Sequence, residues 1–420
     1  MSFSFNASLS GLNANSNALG VVGNNIANAN TIGFRSGSVT FMDVFANSYG
    51  ARLNGAGNSL QIGNGVRVGA VHTNFSQGNF NEAGSPLQAA IQGNGFFVLR
   101  NTDGTQAYTR AGDFTVNNQG QLVAQNGGSV MGYMAQNGVI PQGATLSELQ
   151  IPIGQMLAPS STSEGTFRMN LNSAAATGAT FHSTMQVFDS LGTSRTLDLT
   201  FTRLANGSFD MTGTLDGVAV QTDTGTGPGA GPVNFTFDSN GNLTSPNSLS
   251  IIPDQTQLGG ATLPAIDINL RQTNADGTPG PFNITSYATP SSVAATTQNG
   301  YSAGELNGAM VDAEGMIYGT FSNGESRIIG QYALANFNSE EGLGKEGGNM
   351  FKETTGSGQP TIGAPGSGSR GLIAGGYLEQ SNVNITNEFI DLIEAQRGFQ
   401  ANSRVITTLN QTFQDLLQIV

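Results

Sequence analysis

Large apolar residues recur every seventh position at both extremes of this chain, and no other feature restricts its folding so strongly. Near the C-terminus the series is Ile385, Leu392, Phe399, Ile406, Phe413 and Val420, with half-heptad companions Phe389, Gln396, Ser403, Asn410 and Leu417. Near the N-terminus it is Phe5, Leu12, Leu19 and Ile26, with companions Leu9, Ser16, Gly23 and Asn30. A sustained 3.5-residue apolar period marks a coiled-coil seam. The C-terminal stretch contains no Pro and only one Gly, Gly398, and as one helix it would run roughly 54 Å at about 1.5 Å per residue. Glu388, Asp391 and Glu394 precede Arg397 and Arg404, an order that complements the helix macrodipole over that part. In both series the half-heptad positions are apolar outermost and small or polar inward, and polar core positions fix register or partner number at a cost in stability. A single such helix reads as part of an ordinary bundle. Two matched ones at the termini predict a molecule whose ends meet and whose middle is displayed outward.

Between the helices the texture is β. From Val66 onward, short apolar runs alternate with turn dipeptides. Phe96-Phe97-Val98-Leu99 precedes Asp103-Gly104, Phe114-Thr115-Val116 precedes a turn at Gly120, and Leu122-Val123 leads to Asn126-Gly127. Such spacing predicts hairpins. A second β block spans about 150–290, with the alternating run Leu197-Leu199-Phe201, a Gly/Pro-rich loop at 224–232, and Pro279, Pro281 and Pro290 marking its exit. A third stretch, 298–350, carries turns at Asp312–Gly315 and Asn323-Gly324, and 354–371 reads as a Gly/Ser/Pro-rich loop or linker. Residues 36–65 read as a partly irregular connector. The expected fold is mainly β with terminal α-helical coiled-coil segments, nested so that the N- and C-termini pair. Its pieces are 1–70 with 372–420, 71–149 with 291–371, and an inserted block at 150–290.

Composition excludes several functional classes. Net charge is −13, and only 15 scattered Lys and Arg are present, which argues against binding nucleic-acid phosphates. No apolar run reaches the ~18 residues of a membrane span. There is no Cys, so disulfides and thiolate metal sites are excluded. No Lys or Arg precedes Arg35, so the start is not expected to be a cleavable signal peptide. His72 and His182 lie in unrelated predicted strands, which disfavours a His-based metal site or a catalytic triad. Gly93-Asn94-Gly95 lacks the third Gly and the helix of a phosphate loop, and reads as a turn. Asp189-Ser190-Leu191-Gly192 lacks the flanking Gly of a nucleophile elbow and reads as a hairpin turn with Asp189 bonding local backbone. No cofactor or catalysis is expected.

Several stretches carry a family resemblance. Leu9-Ser10-Gly11-Leu12, Asn24-Asn25-Ile26-Ala27-Asn28 and Asn30-Thr31-Ile32-Gly33-Phe34-Arg35 resemble the shared opening of bacterial flagellar axial proteins. Leu378-Glu379-Gln380-Ser381-Asn382-Val383 and Glu394-Ala395-Gln396-Arg397-Gly398-Phe399-Gln400-Ala401-Asn402 resemble their shared ending. Tyr108-Thr109-Arg110-Ala111-Gly112-Asp113-Phe114 is similar to the first β domain of the rod and hook members. Val187–Gly192 and Leu334-Ala335-Asn336-Phe337 with Gly342-Leu343 are similar to the hook members in particular. The resemblance implies a structural subunit without enzymatic activity, in which terminal helices form an inner tube (D0), paired β pieces form D1 and the inserted block forms an outer D2. It implies type III export without signal cleavage, an extracellular place in the flagellar hook, and self-polymerisation into a curved tube that passes torque from rod to filament. The implied partners are further copies of the chain, the distal rod protein, hook cap and hook–filament junction proteins, and the export apparatus, with no nucleic acid and no membrane insertion. A distal rod protein and, in a different class, a secreted β-rich adhesin stand as alternatives. The expected assembly seam is Phe5, Leu9, Leu12, Leu19, Ile26, Ile385, Phe389, Leu392, Phe399, Ile406, Phe413, Leu417 and Val420.

Overall fold

The computed structural model describes residues 2–44, 47–49, 60–225, 227–274 and 278–419. Val420 of the expected seam, and much of the 36–65 connector, lie outside them. Helix α1 spans Ser2–Ala27 and helix α2 spans Ile385–Ile419; the described residues between them are strands and turns apart from two short 3-10 segments. The fold is mainly β with paired terminal helices. It divides into two compact units: Met1–Ile153 with Gly308–Gly319 and Arg327–Val420, and Gly154–Asn307 with Thr320–Ser326.

In the first unit, α2 starts where Asn384 caps it, its Oδ1 accepting from the amides of Thr386 (3.1 Å) and Asn387 (3.3 Å). This is the side-chain acceptor an N-terminal turn lacks internally. The chain leaves α1 through Gly33, whose φ of +68° suits glycine. A Cβ at Gly33 would stand 2.6 Å from the Ala111 backbone nitrogen, so this turn tolerates no side chain. Part of the expected connector is regular: Gly37–Asp43 pairs antiparallel with Val66–Thr73, with a bulge at Thr40/Phe41.

The β core of this unit is built around Phe96–Arg100. That strand pairs with Gln106–Thr109, Ser129–Met134 and Leu334–Asn336. Alternation sends Phe96 and Val98 into a cluster with Tyr108, Met131, Phe337 and Phe351. Phe97 meets Phe114 and Tyr332 at ring distances of 5.0 and 5.6 Å. Edge-to-face aromatic pairs of this kind contribute about 0.5–1.5 kcal/mol beyond their burial. Late strands are therefore built into an early sheet, as nesting requires. Ala89–Gln92 pairs with Leu372–Gly375, and Phe80–Glu82 with Tyr377–Glu379. Residues 354–371 depart from the expected linker, since Thr361–Gly363 pairs with Leu334–Asn336. Backbone hydrogen bonds need no apolar side chains, which is why composition misreads this stretch.

Among the described residues the second unit has two six-stranded sheets. One is the antiparallel run Thr180–Phe188, Ser194–Arg203, Phe209–Leu215 and Val233–Phe237. The other centres on Glu164–Asn170. Leu197, Leu199, Phe201, Phe209, Met211 and Phe235 share the core. The hairpin turn at Asp189 is as expected: Oδ1 accepts from the amides of Leu191 (3.0 Å) and Thr193 (2.9 Å), and Oδ2 from Arg195 Nε (3.0 Å). The expected exit near 290 is displaced. Ser292–Gln298 pairs along the length of Glu164–Asn170, so the compact unit continues to Asn307. The prolines lie inside it, Pro279–Phe282 forming a hairpin with Arg271–Thr273.

Candidate assembly interface

Helices α1 and α2 pack antiparallel, and glycines bring them close to facing asparagines at two points. An added Cβ on Gly11 would meet Asn402 Nδ2 at 2.7 Å, and one on Gly398 would meet Asn15 Oδ1 at 2.8 Å. Each helix thus offers a glycine to the other's asparagine. Farther along, Asn25 Nδ2 donates to Glu388 Oε1 (3.0 Å) and to Gly37 O (2.8 Å), while the Gly37 amide returns a bond to Asn25 Oδ1 (2.9 Å). Asn25 therefore ties both helices to the ribbon of Gly37–Asp43 and Val66–Thr73. Burial favours the uncharged form of Glu388 and raises its pKa; the Asn25 bond opposes this and neighbouring Asp391 adds to it.

The predicted seam residues divide into two sets. Leu392, Phe399 and Ile406 are half-buried on the inner face of α2, as are Leu12, Leu19, Ile26 and Phe5 on α1. Ile385, Phe389, Phe413 and Leu417 of α2 and Leu9 of α1 are exposed, Phe389 by 50% and Leu417 by 79%. The inner companions on α2 are Ala395, Asn402 and Leu409, whereas Gln396 and Asn410 face water and Ser403 is half-buried. The polar half of the pattern is thus displaced by one residue from the expected phase. A heptad series has apolar partners at either three or four residues' remove, and the close Gly–Asn approach selects the three-residue set. The contacts Asn25–Glu388, Asn15–Gly398 and Gly11–Asn402 keep one register.

Where these helices join the β core, three charged residues are buried together. Arg35 Nη2 and Glu379 Oε1 are 2.8 Å apart, and both side chains are 0% exposed. The Gly78 amide donates to the same oxygen at 2.9 Å. Arg110 Nη1 lies 3.7 Å from Glu379 Oε2 and donates to Gly93 O at 2.8 Å, its guanidinium 5.3 Å from the Phe96 ring centroid. Burial first, then repulsion from Arg35, lowers the Arg110 pKa to about 10, with Glu379 opposing. Two cations thus share one anion away from water. Asn382 adds a polar tie, its Oδ1 accepting from the Ser36 amide (2.8 Å) and its Nδ2 donating to Asn74 O (2.7 Å). These residues stand in the stretches that carry the family resemblance, yet periodicity gives no sign that they meet, because Glu379 and Asn382 lie hundreds of positions from both arginines.

Among the described residues, no group of three His, Asp or Glu is placed to hold a metal, and no helix is long and apolar enough to cross a membrane.

Four family models match the chain in sequence order. They are described as flagella basal body rod protein (residues 5–35), flagellar hook protein FlgE/F/G D1 domain (90–156), flagellar basal body protein FlaE D2 domain (156–301) and flagellar basal body rod FlgEFG protein C-terminal (374–419). Flagellar hook protein FlgE of Treponema pallidum (strain Nichols) is 34% identical, the alignment covering 98% of both chains. That of Salmonella typhimurium is 32% identical, with 99% of this chain and 100% of the relative covered. That of Escherichia coli K12 is 31% identical, with 99% of each covered. Among solved structures, Helicobacter pylori flagellar hook protein FlgE2 is similar in fold. Its TM-score is 0.53 at 14% identity, over 71% of this chain and 100% of that one. Matching nearly end to end at more than 30% identity, with paired terminal helices around a β interior, this chain belongs to the flagellar hook protein family.

Proposed function

We propose that this chain is the structural subunit of the bacterial flagellar hook, polymerising into a curved, flexible tube that acts as a universal joint and carries motor torque from rod to filament. The observation that carries this reading is the uncovered apolar face of α2. Phe389, Ile390, Ile393 and Val405 remain about half exposed after α1 has packed. Covering each would contribute roughly 1 kcal/mol, half the value of full burial, so contact with further copies is the natural use of that face. The seam residues that α1 leaves exposed are assigned to contacts between copies, and Leu392, Phe399 and Ile406 to the helix pair itself. In this reading the helices and connector are D0, the paired β pieces D1, and the inserted block, taken to reach Asn307, D2. No catalytic role is part of it.

The same reading places the subunit outside the cell in the flagellar hook, exported by the type III pathway without signal cleavage. The distal rod protein, the hook cap, the hook–filament junction proteins and the export apparatus are its partners. Electron microscopy of the purified chain after salting out tests the proposal. Curved tubes are the expected result; straight tubes would favour a rod protein, and the lack of any polymer would refute both.

A further inference from the structure

A groove of about 600 Å³ lies between α1, the first turns of α2 and the strand Gly37–Asp43. Its apolar lining includes Val21, Val22, Val39 and Phe41, and Phe41 is exposed. Its rim on α2 carries Glu388, Asp391 and Glu394, and among the described residues no Lys or Arg lines it. Among the described residues none of these three carboxylates is in an ion pair. The facing helix α1 contains no charged residue, so it cannot neutralise them. Farther along α2, Arg397, Arg404 and Val405 are exposed. Neither arginine is in an ion pair among the described residues, although Arg397 is one turn beyond Glu394. Seven residues separate the arginines, about 10.5 Å along the helix, against about 9 Å between Glu388 and Glu394. An acidic groove and a basic, partly apolar face of matching spacing thus stand at different levels of the same helix.

We propose that this groove docks the Arg397–Val405 face of α2 from a second copy of the chain. The inference rests on the structural-subunit reading and deepens it by naming the contact. Groove and face are different surfaces, so the contact is head-to-tail, and a head-to-tail contact that does not close gives an open helical polymer. Charge complementarity mainly selects the partner and its register. In a chain with net charge −13, a basic face matched to an acidic groove is a selective pairing.

The test uses three full-length variants and the critical concentration for tube growth. Reversing the groove (D391K/E394K) or the face (R397E/R404E) juxtaposes like charges and is expected to raise that concentration about tenfold or more. The quadruple variant restores opposite charges and is expected to assemble within about threefold of the wild type. Assembly of either half-reversed variant at the wild-type concentration overturns the docking proposal while leaving the subunit reading intact. Failure of the quadruple variant to recover also overturns it, because opposite charges restored across the contact then do not restore assembly. Wild-type protein that forms no tubes removes the subunit reading, and this proposal with it.

Discussion

Replacing Glu379 by Gln tests whether the buried charged triad holds the helical ends to the β core. The wild-type carboxylate is 2.8 Å from Arg35 and 3.7 Å from Arg110, and both arginines are nearly or wholly buried. Removing the shared anion leaves two buried cations uncompensated, for which breaking a buried pair typically costs about 3–5 kcal/mol. The amide oxygen of Gln still accepts from Arg35 and from the Gly78 amide, so the lower end, roughly 3 kcal/mol, is expected. For a folded unit of this size that shifts the melting temperature by about 6–12 °C. Arg110→Met is expected to cost less, about 1 kcal/mol, because it removes the surplus cation and leaves the closer Arg35–Glu379 pair intact. Scanning calorimetry reads the transition of the unit containing Glu379 against that of Gly154–Asn307, which serves as an internal control. A Glu379→Gln shift below about 2 °C, or a larger loss for Arg110→Met, would refute the argument that electrostatic compensation holds this junction.

Five further outcomes follow from named contacts. Gly33→Ala is expected to destabilise by roughly 2–3 kcal/mol, since its positive φ and backbone contact with Ala111 leave no escape. Gly11→Ala, meeting only the movable amide of Asn402, should stay within about 1 kcal/mol of the wild type in urea titration. Burial, with Glu353 adding, pushes the Tyr108 phenol from 10.0 to about 12; burial also raises Tyr332, whose hydroxyl donates to Leu87 O. The folded state then binds more protons than the unfolded state above pH ~10. Stability present below that pH is lost as pH rises through about 12, and a Tyr108→Phe/Tyr332→Phe variant should flatten the decline measured by urea unfolding. Ile406→Asp places an unpaired charge on the half-buried inner seam at a cost of about 3 kcal/mol or more; sedimentation should show lost assembly with the β melting temperatures unchanged. Ser160 and Tyr301 are joined by backbone hydrogen bonds of 3.0 Å, so a short Gly/Ser linker can replace the residues between them. Electron microscopy of that deletion should show tubes that are straight; retained curvature would place its origin in the helices or the paired β pieces.

Local chemistry was enough to recognise the terminal helices, most of the hairpins and the turn at Asp189. Each of these depends on neighbours within a few positions: a heptad spacing, an Asn-Gly or Asp-Gly turn, a carboxylate reaching its own loop amides. The near end-to-end family likeness likewise lay in short stretches such as those around Arg35, Arg110 and Glu379. Tertiary structure decided which phase of the heptads faces inward, because Ala395 and Gln396 satisfy a 3.5-residue period equally well until Asn15 and Gly398 meet. It also decided that Thr361–Gly363 is a strand and that Ser292–Gln298 belongs with Glu164–Asn170, pairings made by backbone groups that every residue type carries. The Arg35–Glu379–Arg110 cluster is the clearest case. A charged residue in a sequence is by default solvated, and only the fold, by closing the chain over residues hundreds of positions apart, removes the water and makes each depend on the others.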